Sequence, residues 1–250
     1  NITVVLVGHV TKDGSIAGPR VLEHLVDVVL AFEGDRNSRL RMVRAAKNRF
    51  GPVDEVGCFD LSSEGIVAIS DPTGLFLDRQ HGQIPGTCVS VTMEGRRPLL
   101  AEVQALVTVT AAERPRRTTS GVESSRVAMV LAVLQQHARL GTNSHDVFVS
   151  TVGGAKLTGP ANDAAIALAI ASAHVGRPLG REVVAIGELG LSGELRRVRD
   201  LPQRLAEAAR LGFKAALVPA ADPADAGTST VVDGMRVLHV GHITDALRAV

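Results

Sequence analysis

Two positively charged side chains stand two residues apart in the string KNRFG, which occupies residues 47–51. Lys47 and Arg49 follow an apolar run, and Gly51 with Pro52 indicates a turn directly after them. Because residues i and i+2 of a strand point to the same face, one strand end can present both cations. Such a pair can neutralise charge on a transferring phosphoryl group, including one bound to a neighbouring subunit. The residues alone also allow a solvated basic hairpin tip.

A second candidate site is the glycine-rich loop 8–19. The apolar run 2–7 before it is typical of a strand buried on both faces, and His9 comes almost directly after that strand. In α/β nucleotide-binding folds, ligands bind at the carboxyl ends of the strands. The three glycines of the loop, together with Lys12, suit close approach to a phosphate backbone. An ordinary solvated loop is equally compatible with these residues.

The composition disfavours several classes of function. The 250 residues are 45% hydrophobic and 21% charged, which is typical of a folded globular chain. No run of about 18 apolar residues occurs, so the sequence predicts no membrane span. The net charge of +1 gives no global preference for a polyanion, so a nucleic-acid surface must be local. Six Phe with no Tyr or Trp disfavour a single-strand binder that stacks bases on aromatic rings.

The cysteines, the histidines and the glycine motifs indicate which cofactors the sequence is equipped to bind. Cys58 and Cys88 are isolated and the eight His are scattered, so we expect no metal site in this chain. Two reduced thiols favour a cytoplasmic protein. The phosphate-binding motif G-x-x-x-x-G-K-[ST] is absent, and GGAKLT at 153–158 only approaches it. The sequence therefore lacks the usual loop for holding ATP.

The order of strand-like and helix-like segments predicts an α/β protein in two parts. Strand-like runs follow one another up to residue 69, which is typical of a strand meander. Segment 80–86 indicates a linker, and the second part mixes strands with helices without regular βαβ alternation. We therefore place the domains at 1–80 and 84–250. The chain opens inside a strand-like run without an initiator Met, so we expect a longer protein with a further N-terminal part.

The loop 8–19, the string VLEH at 21–24 and KNRFG together resemble the RadA (Sms) family of DNA-repair ATPases, which is similar to RecA and to DnaB-type helicases. The resemblance covers essentially the whole chain, and its KNRFG string is highly specific. It implies that residues 1–80 are the remainder of a RecA-like ATPase domain. The site residues that it implies are Lys47 and Arg49 as catalytic fingers that reach a neighbour's ATP, His9 as a sensor of the γ-phosphate, and Lys12, Ser15 and Arg20 as DNA-facing residues.

The same resemblance implies an ATP-dependent translocase or helicase that moves on single-stranded DNA and migrates branches of recombination intermediates. Its implied partners are single-stranded and branched DNA, the RecA recombinase and further copies of itself in a hexameric ring. ATP and Mg²⁺ would be bound mainly by the missing N-terminal part, which would also hold a zinc finger. This chain alone would then not turn over ATP. A non-enzymatic module that binds DNA and forms rings is the alternative.

Residues 84–250 resemble the proteolytic domain of Lon, an α+β fold of the ribosomal protein S5 type. Lon-type peptidases use a Ser–Lys dyad, in which the serine needs an adjacent base. The matching positions carry Ala161 and Pro202, so the resemblance implies a catalytically degenerate domain, and an active peptidase is the least favoured alternative. Because the guanidinium fork suits phosphate, this half also offers candidate DNA contacts, which as a set could form a platform for duplex DNA, although each residue singly is better explained as a solvated or salt-bridged surface charge. They are Arg116, Arg117, Arg126, Lys156, Arg196 and Arg197.

Overall fold

The described residues form a mixed α/β structure with two main sheets in the computed structural model. The structure describes residues 2–8, 24–34, 39–53, 55–63, 65–69, 76–77, 84–110, 112, 114–180 and 182–249. The strands are β1 (Val28–Glu33), β2 (Leu40–Asn48), β3 (Val56–Ser62), β4 (Gly65–Ala68), β5 (Thr87–Glu94), β6 (Arg97–Val109), β7 (Arg117–Ser120), β8 (His145–Thr151), β9 (Val183–Ala185), β10 (Glu188–Leu189), β11 (Leu195–Arg196), β12 (Ala215–Pro219), β13 (Ser229–Val232) and β14 (Met235–Val240). The helices are α1 (Ser124–Ala138), α2 (Asp163–Val175), α3 (Leu201–Arg210) and α4 (Ile243–Arg248). The predicted α/β class is thereby confirmed.

The smaller sheet is the antiparallel meander β1-β2-β3-β4. Its strands alternate between two faces, as the period of two residues requires. One face carries Leu40, Val56 and Cys58, which are buried in the same apolar cluster as helices α1 and α2. The opposite face leaves Leu30 and Phe32 more than half exposed. The meander predicted for the first part of the chain is therefore present.

The prediction of a buried strand at residues 2–7 is wrong. Residues 2–8 carry no assigned strand, and Ile2, Val5 and Val7 are each more than 80% exposed. No strand in the described ranges pairs with this run, so its apolar side chains have no sheet to pack against. An apolar run shows that side chains favour burial, but it does not identify the surface that buries them.

The larger sheet has the strand order β13-β14-β12-β9-β5-β6-β8-β7. Its centre is parallel, because β9 pairs in parallel with both β5 and β12, while β5 and β6 form a long antiparallel hairpin. Helices α1, α2 and α4 cover one face, and α3 covers the other through Leu205 and Ala208. Alternation along β5 divides its side chains accordingly, with Cys88 toward α2 and Val89 toward α3.

Polar contacts join the two sheets where strand β2 passes the β5–β6 turn. The Arg44 guanidinium donates to Glu94 Oε2 at 2.7 Å and lies 3.4 Å from Glu33. Arg97, on the other side of the turn, donates to the Val56 carbonyl at 3.5 Å. These contacts fix the direction of β2, the strand that ends at Asn48, one residue after Lys47. The predicted domain boundary lies almost wholly outside the described residues, and it stays a prediction.

Gly86, directly before β5, provides a test of this packing. Its φ is +90°, its N–H donates to Ser172 Oγ at 2.9 Å, and a Cβ there would overlap the Ala105 carbonyl oxygen. Gly86→Ala therefore combines backbone strain with overpacking, and we expect it to lower the free energy of unfolding by about 3 kcal/mol. Gly176→Ala is the matched control, because Gly176 has φ +70° but open space around it. Urea denaturation should show a loss of only about 1 kcal/mol for the control. Equal losses in the two variants would contradict the packing argument.

Candidate functional site

Strand β2 ends in a turn that Asn48 closes through its side chain. The Phe50 N–H donates to Asn48 Oδ1 at 3.1 Å, and Asn48 Nδ2 donates to the Pro52 carbonyl at 3.1 Å. Such side-chain contacts with the local backbone are the usual reason that Asn occurs in turns. The turn leaves Phe50 78% exposed at its tip. The two cations of KNRFG therefore flank the residue that fixes the turn.

Lys47 lies near the end of β2, opposite Val29 of β1. Its ammonium group donates to the carbonyl oxygen of Val26 at 2.7 Å and to that of His24 at 3.3 Å. These acceptors belong to the segment that leads into β1. The charge of Lys47 is thus held by backbone dipoles at the open end of the β1–β2 pair.

Arg49 is held by the same segment, but by a carboxylate. Its Nη1 donates to Asp27 Oδ1 at 3.0 Å, and its backbone N–H donates to the Asp27 carbonyl at 3.0 Å. The Arg49 and Asp27 side chains are 74% and 55% exposed, so water screens the ion pair. The structure therefore brings Lys47 and Arg49 together at one end of the smaller sheet, both in contact with segment 24–27. His9, Lys12, Ser15 and Arg20 lie outside the described residues.

The position matching a peptidase nucleophile lies at the entrance to α2. Pro160–Asn162 forms a 3-10 turn, and the α-helix starts directly after it at Asp163. Ala161 is buried, and its carbonyl accepts the Gly187 N–H at 2.8 Å. Asn162 is also buried, and its Oδ1 accepts the Ser90 hydroxyl at 2.8 Å. The methyl group of Ala161 has no nucleophilic atom, and only 7% of this residue is exposed.

Arg126 forms an ion pair with Asp163 beside this turn. Asp163 is fully buried, and it accepts hydrogen bonds from Arg126 Nε at 3.1 Å, from Arg126 Nη2 and from the Leu189 N–H at 3.1 Å. Burial raises the pKa of Asp163, and the hydrogen bonds from Arg126 and Leu189 oppose that rise. The hydrogen bond to Asp163 raises the pKa of Arg126. These contacts give the Arg126 side chain a structural role, and its predicted DNA contact stays untested.

The neighbouring arginines Arg116 and Arg117 at the start of β7 differ in their contacts. Arg117 donates to the carbonyl of Thr142 at 2.8 Å and to that of His145, so its guanidinium ties the start of β7 to the connection between α1 and β8. Arg116 is exposed, and its backbone N–H donates to Asp146 Oδ1 at 2.7 Å. The Arg117 guanidinium is therefore engaged in holding the fold, and the DNA contacts predicted for both residues stay predictions.

The remaining candidate cations lie between β8 and the Pro160–Asn162 turn and at the end of the β10–β11 hairpin. Arg196 is paired with Glu188 and Glu194 of the β10–β11 hairpin. Lys156 and Arg197 are exposed. Pro202 is an exposed residue in the first turn of α3, where its ring lacks a backbone N–H and any basic atom. Both positions that match the Ser–Lys dyad therefore carry side chains without the required chemistry.

Two further groups of residues were not identified from the sequence. The acceptors for Lys47 and Arg49 lie more than 20 residues earlier in the chain, at segment 24–27. His145 and His174 form the other group, with ring centroids 5.0 Å apart. Burial and the neighbouring His145 lower the pKa of His174. Neither pairing has a motif signal, because each joins residues far apart in sequence.

The described residues contain neither a cluster of metal ligands nor a helix that could span a membrane. Among them no group of three or more His, Cys, Asp and Glu side chains could hold a metal ion. Within the same ranges, no helix is both long and apolar enough to cross a membrane.

Comparison with known proteins identifies the family. A family model described as subunit ChlI of Mg-chelatase matches residues 115–222. The chain is 54% identical over 247 residues to the DNA repair protein RadA of Mycolicibacterium smegmatis, covering 99% of this chain and 52% of that protein. The chain belongs to the RadA family. Its identity is 53% to RadA of Mycobacterium tuberculosis and 46% to RadA of Pseudomonas aeruginosa, with 99% and 98% of this chain covered and 50% and 53% of those proteins.

These comparisons confirm the family that the motifs predicted. The RadA-family chain spans about half the length of the curated relatives it matches. The ChlI match lies entirely in the part built around the larger sheet, and it includes the α2 entrance with Ala161.

Removing the buried partner of Arg126 provides a test of its structural role. Asp163→Ala leaves a desolvated guanidinium and an unpaired Leu189 N–H, and we expect a loss of about 3 kcal/mol or more in the free energy of unfolding. Asp245→Ala is the control, because Asp245 pairs with Arg248 on the surface, with side chains 52% and 80% exposed. Its loss should stay below about 1 kcal/mol by urea denaturation. A loss as small for Asp163→Ala would contradict the structural role.

The histidine pair predicts a dependence of stability on pH. Because the pKa of His174 is lowered in the folded state, the unfolded chain binds the proton more readily. The free energy of unfolding should therefore fall as the pH decreases from about 7 towards 5. His174→Gln should reduce this slope, because the titrating imidazole is removed. Thermal unfolding at several pH values measures the effect, and an unchanged slope in His174→Gln would contradict it.

Proposed function

We propose that this RadA-family chain is part of an ATP-hydrolysing DNA-repair protein, and that Lys47 and Arg49 contact the phosphates of ATP bound by a neighbouring copy. The observation that supports the proposal best is the position of both cations at one exposed sheet end, on a turn fixed by Asn48. Cations held in advance near the transferring phosphoryl group stabilise the charge that develops in the transition state.

A contact with a neighbour explains why the chain carries cations but no phosphate loop. The sequence has no G-x-x-x-x-G-K-[ST] motif, so the ATP that Lys47 and Arg49 meet must be held by residues outside this chain segment. A residue set that completes a site on another subunit requires an oligomer, and closed cyclic symmetry gives every subunit the same contact. A hexameric ring is the assembly we propose.

The ligand that suits this site is the phosphate of ATP with its Mg²⁺. Ammonium and guanidinium groups fit phosphate oxygens, so Lys47 and Arg49 would hold the anion, and the metal ligands are expected elsewhere in the protein. Mg²⁺ supplies neutralisation of the bridging phosphate oxygens when it is bound. Lys47 and Arg49 would orient the phosphoryl group that is transferred. We propose zinc only for a zinc finger in a further N-terminal part of the protein.

The two sheets correspond in this proposal to two domains. Residues 1–80 are the remainder of a RecA-like ATPase domain, and residues 84–250 are a Lon-like domain that is inactive as a peptidase. The absence of a nucleophile at Ala161 and of a base at Pro202 supports the second assignment. The parallel centre of the larger sheet, with helices on both faces, is compatible with an α+β domain of this type.

The proposed substrate is DNA, because the relatives named above are DNA repair proteins. Lys12, Ser15 and Arg20 would face single-stranded DNA in the ring, and RecA would be the partner on recombination intermediates. On the larger sheet, exposure favours Arg116 and Arg197 over Arg126 as phosphate contacts. Movement along single-stranded DNA and branch migration are the proposed outcome of hydrolysis.

Lys47→Ala in the full-length protein tests the site. We expect the hydrolysis of ATP stimulated by single-stranded DNA to fall at least about 100-fold, because a group that stabilises the transition state is lost. The control is Lys214→Ala, an exposed lysine next to β12, which should keep normal turnover. Hydrolysis is measured with and without DNA, alongside the melting temperature.

Each other result favours a different assignment. Normal stimulated turnover in Lys47→Ala would contradict the finger role. Absence of stimulation by DNA in the unmodified protein would favour the alternative, a DNA-binding and ring-forming module without a motor function.

A further inference from the structure

We propose that Asp27 is a positioning residue that holds the Arg49 guanidinium away from phosphate until a multiply charged anion displaces it. The proposal rests on the proposed function of Arg49. It adds a control element at the same site, one that sets which anions can recruit the arginine.

The backbone places Asp27 directly opposite Arg49. The pair lies one step beyond Val28 and Asn48 in the β1–β2 register, and the Arg49 N–H to Asp27 carbonyl hydrogen bond of 3.0 Å extends the ladder to it. Residues directly opposite in an antiparallel pair share one face, so the carboxylate and the guanidinium meet without distortion. The ladder hydrogen bond is independent of the side chains. Arg49 can therefore change its ionic partner while the strand stays in place.

The contact is close but exchangeable. The 3.0 Å distance is that of a hydrogen-bonded ion pair, yet three-quarters of the Arg49 side chain and half of Asp27 are exposed to water. Exposed pairs of this kind are weak, and a stronger anion competes with them readily. The buried pair of Arg126 with Asp163 has the opposite property, because its carboxylate is almost completely enclosed.

Charge explains the selectivity of the exchange. Asp27 competes with any incoming anion for the Arg49 guanidinium, so an anion with more than one negative charge displaces it more effectively than a singly charged one. A phosphodiester carries one negative charge, whereas the terminal phosphate of a nucleoside triphosphate and its neighbours carry several within reach. Asp27 thus biases Arg49 towards anions that carry more than one charge.

The test is Asp27→Asn in the full-length protein, which removes the charge and keeps the shape. We expect kcat for hydrolysis without DNA to rise about two- to fivefold, the range that the loss of an exposed ion pair allows. KM for ATP should stay unchanged if Arg49 acts on the transferring phosphoryl group. Asp27→Glu should restore the low rate. Asp245→Asn is the matched control, since Asp245 and Arg248 form a similarly exposed pair at 3.2 Å, and it should leave kcat unchanged.

Arg49→Ala, alone and combined with Asp27→Asn, separates the proposed role of Asp27 from the proposed role of Arg49. If Arg49→Ala leaves stimulated hydrolysis normal, the proposed function of Arg49 fails. If Arg49→Ala lowers hydrolysis but Asp27→Asn has the unmodified rate, the role of Asp27 is overturned and the finger role stands. The same conclusion holds if Asp27→Asn raises the rate equally in the Arg49→Ala background. We expect the double variant to match Arg49→Ala, with unchanged melting temperatures.

Discussion

The first ten residues of helix α2 are buried, and this burial restricts which residues can pack against them. The ten residues from Asp163 to Ser172 are all buried, between the larger sheet and helices α1 and α4. Alanine at alternate positions lets the sheet and both helices approach closely, and Ile and Leu fill the remaining volume. Since the helix start is also buried, its polar groups must find partners inside the protein. Arg126 and Leu189 supply them for Asp163, and Ser90 supplies one for Asn162.

This requirement accounts for the chemistry that the α2 entrance lacks. A catalytic serine needs an accessible hydroxyl and a proton acceptor, whereas Ala161 and Asn162 are buried and hydrogen-bonded. The enclosed Asp163 carboxylate with its partner Arg126 follows directly. The start of α2 is thus a structural junction between the larger sheet and the helices that cover it.

Sequence patterns predicted the parts of the fold that depend on local periodicity. The apolar side chains Val127, Val130, Leu131, Leu134 and Ala138 have helical spacing, and in α1 the first four are buried and Ala138 is partly buried. The sequence did not predict the short polar strands β7 and β13. Four residues are too few to show alternation of apolar and polar side chains, and these strands form because they pair with β8 and β14. The alternation rule placed Lys47 and Arg49 on one face. It could not provide their acceptors, since segment 24–27 meets them through the β1–β2 pairing.

The site and the larger sheet are coupled through strand β2. Arg44, in the middle of that strand, is bound to Glu94 at the β5–β6 turn, and Lys47 follows three residues later. A strand is stiff over so short a distance, so the position of the β5–β6 turn sets the direction in which Lys47 and Arg49 are presented. A shift of the β5–β6 turn would therefore move Lys47 and Arg49 without any shared ligand. Strand β2 couples the two sheets, because it is anchored at its centre through Arg44 and ends beside the two cations.

The burial of the paired carboxylate distinguishes Arg126 from Arg49. Arg126 faces an enclosed carboxylate, and moving it would leave that charge without a partner in a desolvated site. Arg49 faces an exposed carboxylate that water can solvate as soon as the guanidinium leaves. A cation can serve a ligand only if its resting partner tolerates its departure. By this criterion the end of the smaller sheet is suited to contact an incoming anion, whereas the α2 entrance is suited to hold the fold together.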